Sequence, residues 1–156
     1  MQKNDPSNKD FYAKNTEVYT QKLQTLHQST QEKVATIPQN QRLLITSHDA
    51  FSYFSKAYNM EVKGLQGIST VTEFGLRDVS KMSELITNRK IKAIFVESSV
   101  PSKSLEAVIA GCEQKGHPVR IGGTLFSDAM GKESTPEGTY IGMITYNINT
   151  IINALK

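Results

Sequence analysis

The stretch Leu43-Leu44-Ile45-Thr46-Ser47-His48-Asp49-Ala50-Phe51-Ser52-Tyr53-Phe54 decides the fold, because within twelve positions a short apolar run gives way to an aromatic segment of helical character. The run at 43–46 is read as a strand and the segment 49–58 as a helix. The same alternation continues downstream. Runs rich in β-branched residues at 62–65, 91–96 and 119–121 read as three more strands, and 73–89, 102–115 and 137–155 read as helices. Thr70 with Glu73, and Ser134 with Glu137, have the spacing of capping boxes for the helices that follow them. Strand and helix in regular succession imply an α/β fold: a four-stranded, mainly parallel sheet with helices on both faces.

Upstream of Pro38 the pattern is different. Asp5 and Pro6 suit the start of a helix, and Phe11, Tyr19, Leu23, Leu26, Val34 and Ile37 recur on one helical face. Residues 5–37 are therefore expected to form one long helix. At 1.5 Å per residue it reaches roughly 45 Å, more than the core of a unit this size requires. Tyr12 and Val18 fall off the main stripe, so part of this helix is expected to pack against something outside the chain.

The 156 residues suffice for one core of ordinary size. The net charge of +3 is mild, and the Lys and Arg residues are scattered among acidic ones, which argues against a nucleic-acid surface. The single cysteine, Cys112, excludes an intramolecular disulfide and a CxxC metal site, and is expected to be buried on a helix. No apolar run is long enough to cross a bilayer, and Met1 to Asp5 has no basic segment leading into an apolar one, so no signal peptide is read in this chain.

In open parallel sheets, ligands collect beyond the carboxyl ends of the strands. His48 follows the first strand, Glu97 the third, and Asp128 lies a few residues after the fourth. An imidazole and carboxylates converging on one edge suit a borderline divalent ion such as zinc, or manganese, and could equally act as general base and acid. Each residue also has a purely local use. His48-Asp49 is good helix N-cap chemistry, Glu97 can accept backbone N–H bonds, and Asp128 can cap a turn. His27 is expected on the solvent side of the long helix, and His117, in Gly116-His117-Pro118, to be structural. Phosphate-loop, dinucleotide, nucleophile-elbow and HExxH signatures are absent.

Several segments taken in order resemble one family. Thr46 through Phe54, Ala57-Tyr58, Gly64 through Thr70, Phe95 through Val100, Leu125 through Gly131 and Glu137 through Tyr140 are similar to the C-terminal lobe of the TroA-like, cluster A-I solute-binding proteins of metal ABC importers. The resemblance implies that 5–37 is the helix linking two lobes, and that 42–156 is the C-terminal α/β lobe of a receptor delivering Zn(II) or Mn(II) to an ABC transporter permease. It implies that His48 and Asp128 are metal ligands, with Glu97 and Ser127 orienting them. Members of this family bind metal between two lobes and take two further histidines from the N-terminal lobe, which nothing in this chain matches. The site is thus expected to be half built, with weak or absent metal binding by the chain alone. Exposed lobe surface is expected to favour self-association, including exchange of the helix. The resemblance places the complete protein in the periplasm or at the cell surface. His48 leans toward zinc and Asp128 toward manganese or mixed use.

Two readings of other classes stand beside this binding module. One is a small metal-assisted α/β enzyme using His48 and Asp128, which needs a closed pocket and a third polar group. The other is an interaction module docking through the long helix.

Overall fold

The structure, a computed structural model, describes residues 2–66, 75–98 and 103–156. A 3-10 turn at Pro6–Asn8 leads into α1 (Lys9–Ala35), followed by β1 (Leu43–His48), α2 (Ser52–Tyr58), β2 (Glu61–Gln66), α3 (Leu76–Arg89), β3 (Ala93–Glu97), α4 (Lys103–Gln114), β4 (Arg120–Leu125) and α5 (Tyr140–Leu155). β1 pairs with β2 and β3 with β4, both in parallel, and β1 lies beside β3. The order across the four strands is therefore β2-β1-β3-β4, with ladder hydrogen bonds within the two outer pairs. Every residue of β1 is buried, whichever way its side chain points. A strand covered on both faces needs helices above and below it, which is the expected parallel α/β architecture.

The core runs from Val34 and Ile37 through Leu43, Leu44, Ile45, Ile94 and Phe95 to Ile148, Ile151 and Leu155. α3 packs on α4, and α5 packs along β4 and against the lower part of α1. Only the C-terminal part of α1 reaches the core. Arg42 ties that end down by donating from Nε to Ile37 O (2.9 Å) and from Nη2 to Ala35 O (3.1 Å), a cation on the carbonyl end of a helix. Toward the other end, Phe11, Val18 and Tyr19 are exposed.

The α-helix begins at Lys9 rather than at Asp5. The Asp5 carboxylate accepts hydrogen bonds from Asn8 Nδ2, Ser7 Oγ and Tyr12 Oη, and these hold its carboxyl below the usual value. It serves the preceding turn through side chains instead of capping α1 through backbone N–H groups. The Thr70 and Glu73 pair lies outside the described residues. Within them α3 starts at Leu76, with Gly75 N donating to Asp78 Oδ2 at 3.3 Å.

The Ser134 and Glu137 pair does not cap the last helix. Ser134 adopts a left-handed φ of 68°, and Pro136–Gly138 forms a separate 3-10 turn. The cap is Thr139, whose Oγ1 accepts from Gly142 N at 3.1 Å, so α5 starts three residues later than its periodicity implies.

The fourth strand also extends past Ile121 to Leu125, through Gly122 and Gly123. Ile94 pairs with Ile121 and Phe95 with Gly123, leaving Gly122 as the extra residue of a bulge. A Cβ there would lie 2.7 Å from Ala154 Cβ and 2.8 Å from Phe95 Cε1, so close helix-on-strand packing demands glycine.

Cys112 is fully buried on α4, and burial pushes its thiol up, outweighing the hydrogen bonds from its neighbours. Partial burial alone would raise the Glu61 carboxyl at the start of β2. The paired Arg89 guanidinium at the end of α3 outweighs it and holds the carboxyl down.

Candidate metal site

His48 is the last residue of β1 and Glu97 the last of β3, so two neighbouring parallel strands deliver both side chains to the same carboxyl-end edge. Glu97 uses both of its oxygens on His48. Oε1 accepts the His48 backbone N–H at 3.0 Å, and Oε2 stands 2.6 Å from Nδ1. Among the described residues neither Nδ1 nor Oε2 makes a hydrogen bond of regular geometry, with each other or with any other group, so the 2.6 Å contact between them is what each has. The Glu97 side chain is fully buried and that of His48 nearly so. At the other side of the residue, the His48 carbonyl accepts from Thr46 Oγ1 (2.8 Å) and from Ala50 N (3.1 Å). Backbone and ring are both fixed.

A carboxylate on Nδ1 assigns the ring proton to that nitrogen and leaves Nε2 as a bare acceptor. Nε2 faces Asp128 Oδ2 at 3.5 Å. Two acceptors at this spacing are brought into agreement by something positive, a proton or a cation. Nitrogen and oxygen ligands bound to one tetrahedral ion at 2.0–2.2 Å stand about 3.4 Å apart, so the spacing fits a shared divalent metal. Buried Glu97 cannot be a third ligand, because it grips the far side of the ring. Among the described residues, no group of three or more His, Cys, Asp or Glu side chains is arranged to hold a metal ion.

Asp128 sits three residues beyond β4, and its side chain is 60% exposed. The segment leading to it is held at two levels. Ser98 N donates to Leu125 O at 3.1 Å, hanging the end of β4 from β3. Asn147 on α5 then takes both backbone groups of Phe126: its Oδ1 accepts from Phe126 N (3.0 Å) and its Nδ2 donates to Phe126 O (2.7 Å). The Phe126 ring meets Tyr146 edge to face, with centroids 5.4 Å apart. Ser127 is half-buried at the rim of a largely apolar groove of about 690 Å³ between α1, α2 and α5, lined by Leu23, Leu26, Phe54, Tyr58, Met143 and Ile144 among others.

Sequence reading thus put His48, Glu97 and Asp128 at one edge, and the structure brings all three together, with Ser127 adjoining. It missed Asn147, because one asparagine within an apolar helix carries no signal of the distant loop it holds. Asp49 supplies no backbone cap to α2 and instead accepts from Ser52 Oγ at 3.0 Å. His27 is exposed, as read, but its ring lies tilted against that of Tyr58, with Nδ1 3.2 Å from the hydroxyl. His117 Nε2 lies 2.7 Å from Ile91 O, a structural contact between the turn before β4 and the start of β3.

Residues 1–154 match the family described as zinc-uptake complex component A, periplasmic. The manganese-binding lipoprotein MntA of Bacillus subtilis is 52% identical over 97% of this chain and 49% of its own length. The metal ABC transporter substrate-binding lipoprotein SloC of Streptococcus mutans is 31% identical over the whole chain and 49% of its own. The solved periplasmic zinc-binding protein TroA of Treponema pallidum superposes with a TM-score of 0.91 at 46% identity, covering 99% of this chain and 56% of that one. The chain spans about half the length of the curated relatives it matches.

Proposed function

The chain belongs to the family of the periplasmic zinc-uptake complex component A, and from that membership we propose that it forms the C-terminal lobe of a substrate-binding protein handing Zn(II) or Mn(II) to an ABC importer outside the cytoplasmic membrane. In this reading 42–156 is the lobe and 5–37 the helix that joins it to a second one. His48 Nε2 and Asp128 Oδ2 are its two metal ligands. Glu97 keeps the His48 lone pair turned outward, and Ser127 supports the carboxylate beside it. The observation that carries the reading is the 3.5 Å spacing of Nε2 and Oδ2 with Nδ1 already taken by a buried carboxylate.

An imidazole fixed in this way needs no reorganisation to bind, and an exposed carboxylate can meet the ion as it sheds water. Neither metal is excluded by the donor set, since nitrogen and carboxylate oxygen both serve zinc and manganese. For one N,O pair the zinc complex is the stronger, following the general order of divalent affinities. Two protein ligands leave the remaining positions to water or to donors from elsewhere in a longer protein. The exposed face at Phe11, Val18 and Tyr19 is the surface offered to that remainder. Without it the same face favours self-association, an idea that a clean monomer in light scattering at high concentration would remove.

Calorimetric titration of the metal-free chain with zinc, then manganese, is expected to show binding weaker than ~1 µM, the affinity equivalent to about −8 kcal/mol. Zinc should be the tighter of the two, and both His48→Ala and Asp128→Ala should abolish the heat. Tight one-to-one binding lost in both variants would mean that these 156 residues complete their own site. Binding indifferent to both would place the metal elsewhere and end the reading.

A further inference from the structure

We propose that Asn147 is a positioning residue for the metal pair: by clamping Phe126 to α5, it sets where Asp128 stands relative to His48. The inference rests on the assignment of His48 and Asp128 as ligands and extends it to a residue that touches neither.

The two ligands are held by different means. His48 is fixed at the end of its own buried strand, gripped twice by Glu97. The Asp128 side chain is 60% exposed, so burial does little to hold it, and the chain that leads to it contributes to its bearing. Two residues before it, Phe126 has both backbone groups held by one side chain, that of Asn147. A primary amide can satisfy an N–H and a C=O of the same residue at once, accepting at its oxygen and donating from its nitrogen. Fixing both fixes the peptide planes on either side of Phe126, and so the direction in which Ser127 and Asp128 leave.

The location of Asn147 points the same way. Asparagine is a poor helix former and is rarely left inside an apolar surface, yet Asn147 is 3% exposed and sits beside Ile148, one helical turn from Met143 and Ile151. Its amide is spent entirely outside its own helix. Tyr146, next to it, meets the ring of the same Phe126, so two consecutive residues of α5 are committed to one loop residue. Substitutions in groups that orient metal ligands through such contacts cost roughly 10–100-fold in metal affinity.

The test uses Mn(II), whose unpaired electrons broaden nearby amide resonances even when binding is weak, titrated into the nitrogen-15-labelled chain with His48 and Asp128 amides as reporters. Asn147→Ala and Asn147→Asp are expected to raise the half-broadening concentration by at least ~10-fold. Asn147→Asp is isosteric and keeps the bond to Phe126 N, so it carries the test if the alanine variant fails to fold. Ile148→Val, a mild core change one position along α5, should leave the midpoint unmoved. In the Asp128→Ala chain, silent in calorimetry, the residual broadening that His48 alone gives at higher Mn(II) should shift by less than ~2-fold on adding Asn147→Ala, because a residue acting through Asp128 has nothing left to act on. The proposal is overturned if the Asn147 variants bind like the parent, or if their shift persists undiminished without Asp128. Absence of site-localised broadening in the parent chain would also end it, but there the ligand assignment has failed first, an outcome visible before any Asn147 variant is made.

Discussion

His48→Ala is expected to destabilise the metal-free chain by about 3–5 kcal/mol, the usual consequence of removing one partner of a buried pair. Glu97 is the reason. Its side chain is fully buried and directs both oxygens at His48, one to the backbone N–H and one to the ring. Alanine leaves the backbone bond and takes away the ring 2.6 Å from Oε2, an oxygen with no regular hydrogen bond among the described residues. Asp128→Ala should behave quite differently, staying within about 0.5 kcal/mol, because its side chain is 60% exposed and water replaces what it loses. Both substitutions should still abolish the heat of metal binding, so the two ligands separate cleanly in urea unfolding while agreeing in calorimetry. His48→Asn places an amide N–H near the former Nδ1 and should recover part of the lost stability without recovering the metal. A cost below about 1 kcal/mol for His48→Ala would mean that Glu97 does not depend on the ring, and the argument for a locked imidazole would go with it.

Gly64→Ala is expected to cost about 1–3 kcal/mol, through overpacking against backbone that cannot move aside. Gly64 lies in β2 opposite Thr46, where the chain leaving β1 crosses directly over it. A Cβ there would stand 2.5 Å from Asp49 N, 2.6 Å from His48 C and 2.9 Å from Asp49 Cα. All three are main-chain atoms, two of them in the residue after the ligand, so relief requires β1 and β2 to separate at the metal edge. Thermal unfolding should fall by about 2–4 °C for each kcal/mol in a chain of this size. The metal titration should weaken as well, because His48 moves with its own carbonyl. Gly75→Ala is the control: its nearest neighbour is Asp78 Oδ2 at 3.6 Å, so it should be silent in the metal titration and cost at most about 1 kcal/mol, through the N-cap of α3. If Gly64→Ala were equally silent, the strands would be looser at this edge than the structure describes.

These two cases also show where local reading stops. The β-branched runs at β1 and β3 announce strands, and the open-sheet rule then puts His48 and Glu97 at one edge. Gly64 appeared only as part of a motif, since nothing near it in sequence reveals that Asp49 will pass within van der Waals contact. The extension of β4 past Ile121 is hidden for a related reason: glycine carries no strand signal, and the helix pressing on that strand, which leaves no space for a side chain at Gly122, lies far away in sequence. Ser134 likewise had the right spacing for a cap and the wrong backbone, because Pro136 and a left-handed φ had already committed that segment to a turn.

By itself the sequence determined the order of strands and helices, the long leading helix, the burial of Cys112 and the presence of a histidine and two carboxylates at strand ends. These follow from periodicity and turn chemistry, which act between residues a few positions apart. Only the tertiary structure decided what each of those groups does. Glu97 reaches His48 across 49 positions of chain, and Asn147 reaches Phe126 across 21. An amide or a carboxylate has the same hydrogen-bonding capacity wherever it occurs, so its partner is chosen by strand order and helix packing, and those are properties of the folded chain as a whole.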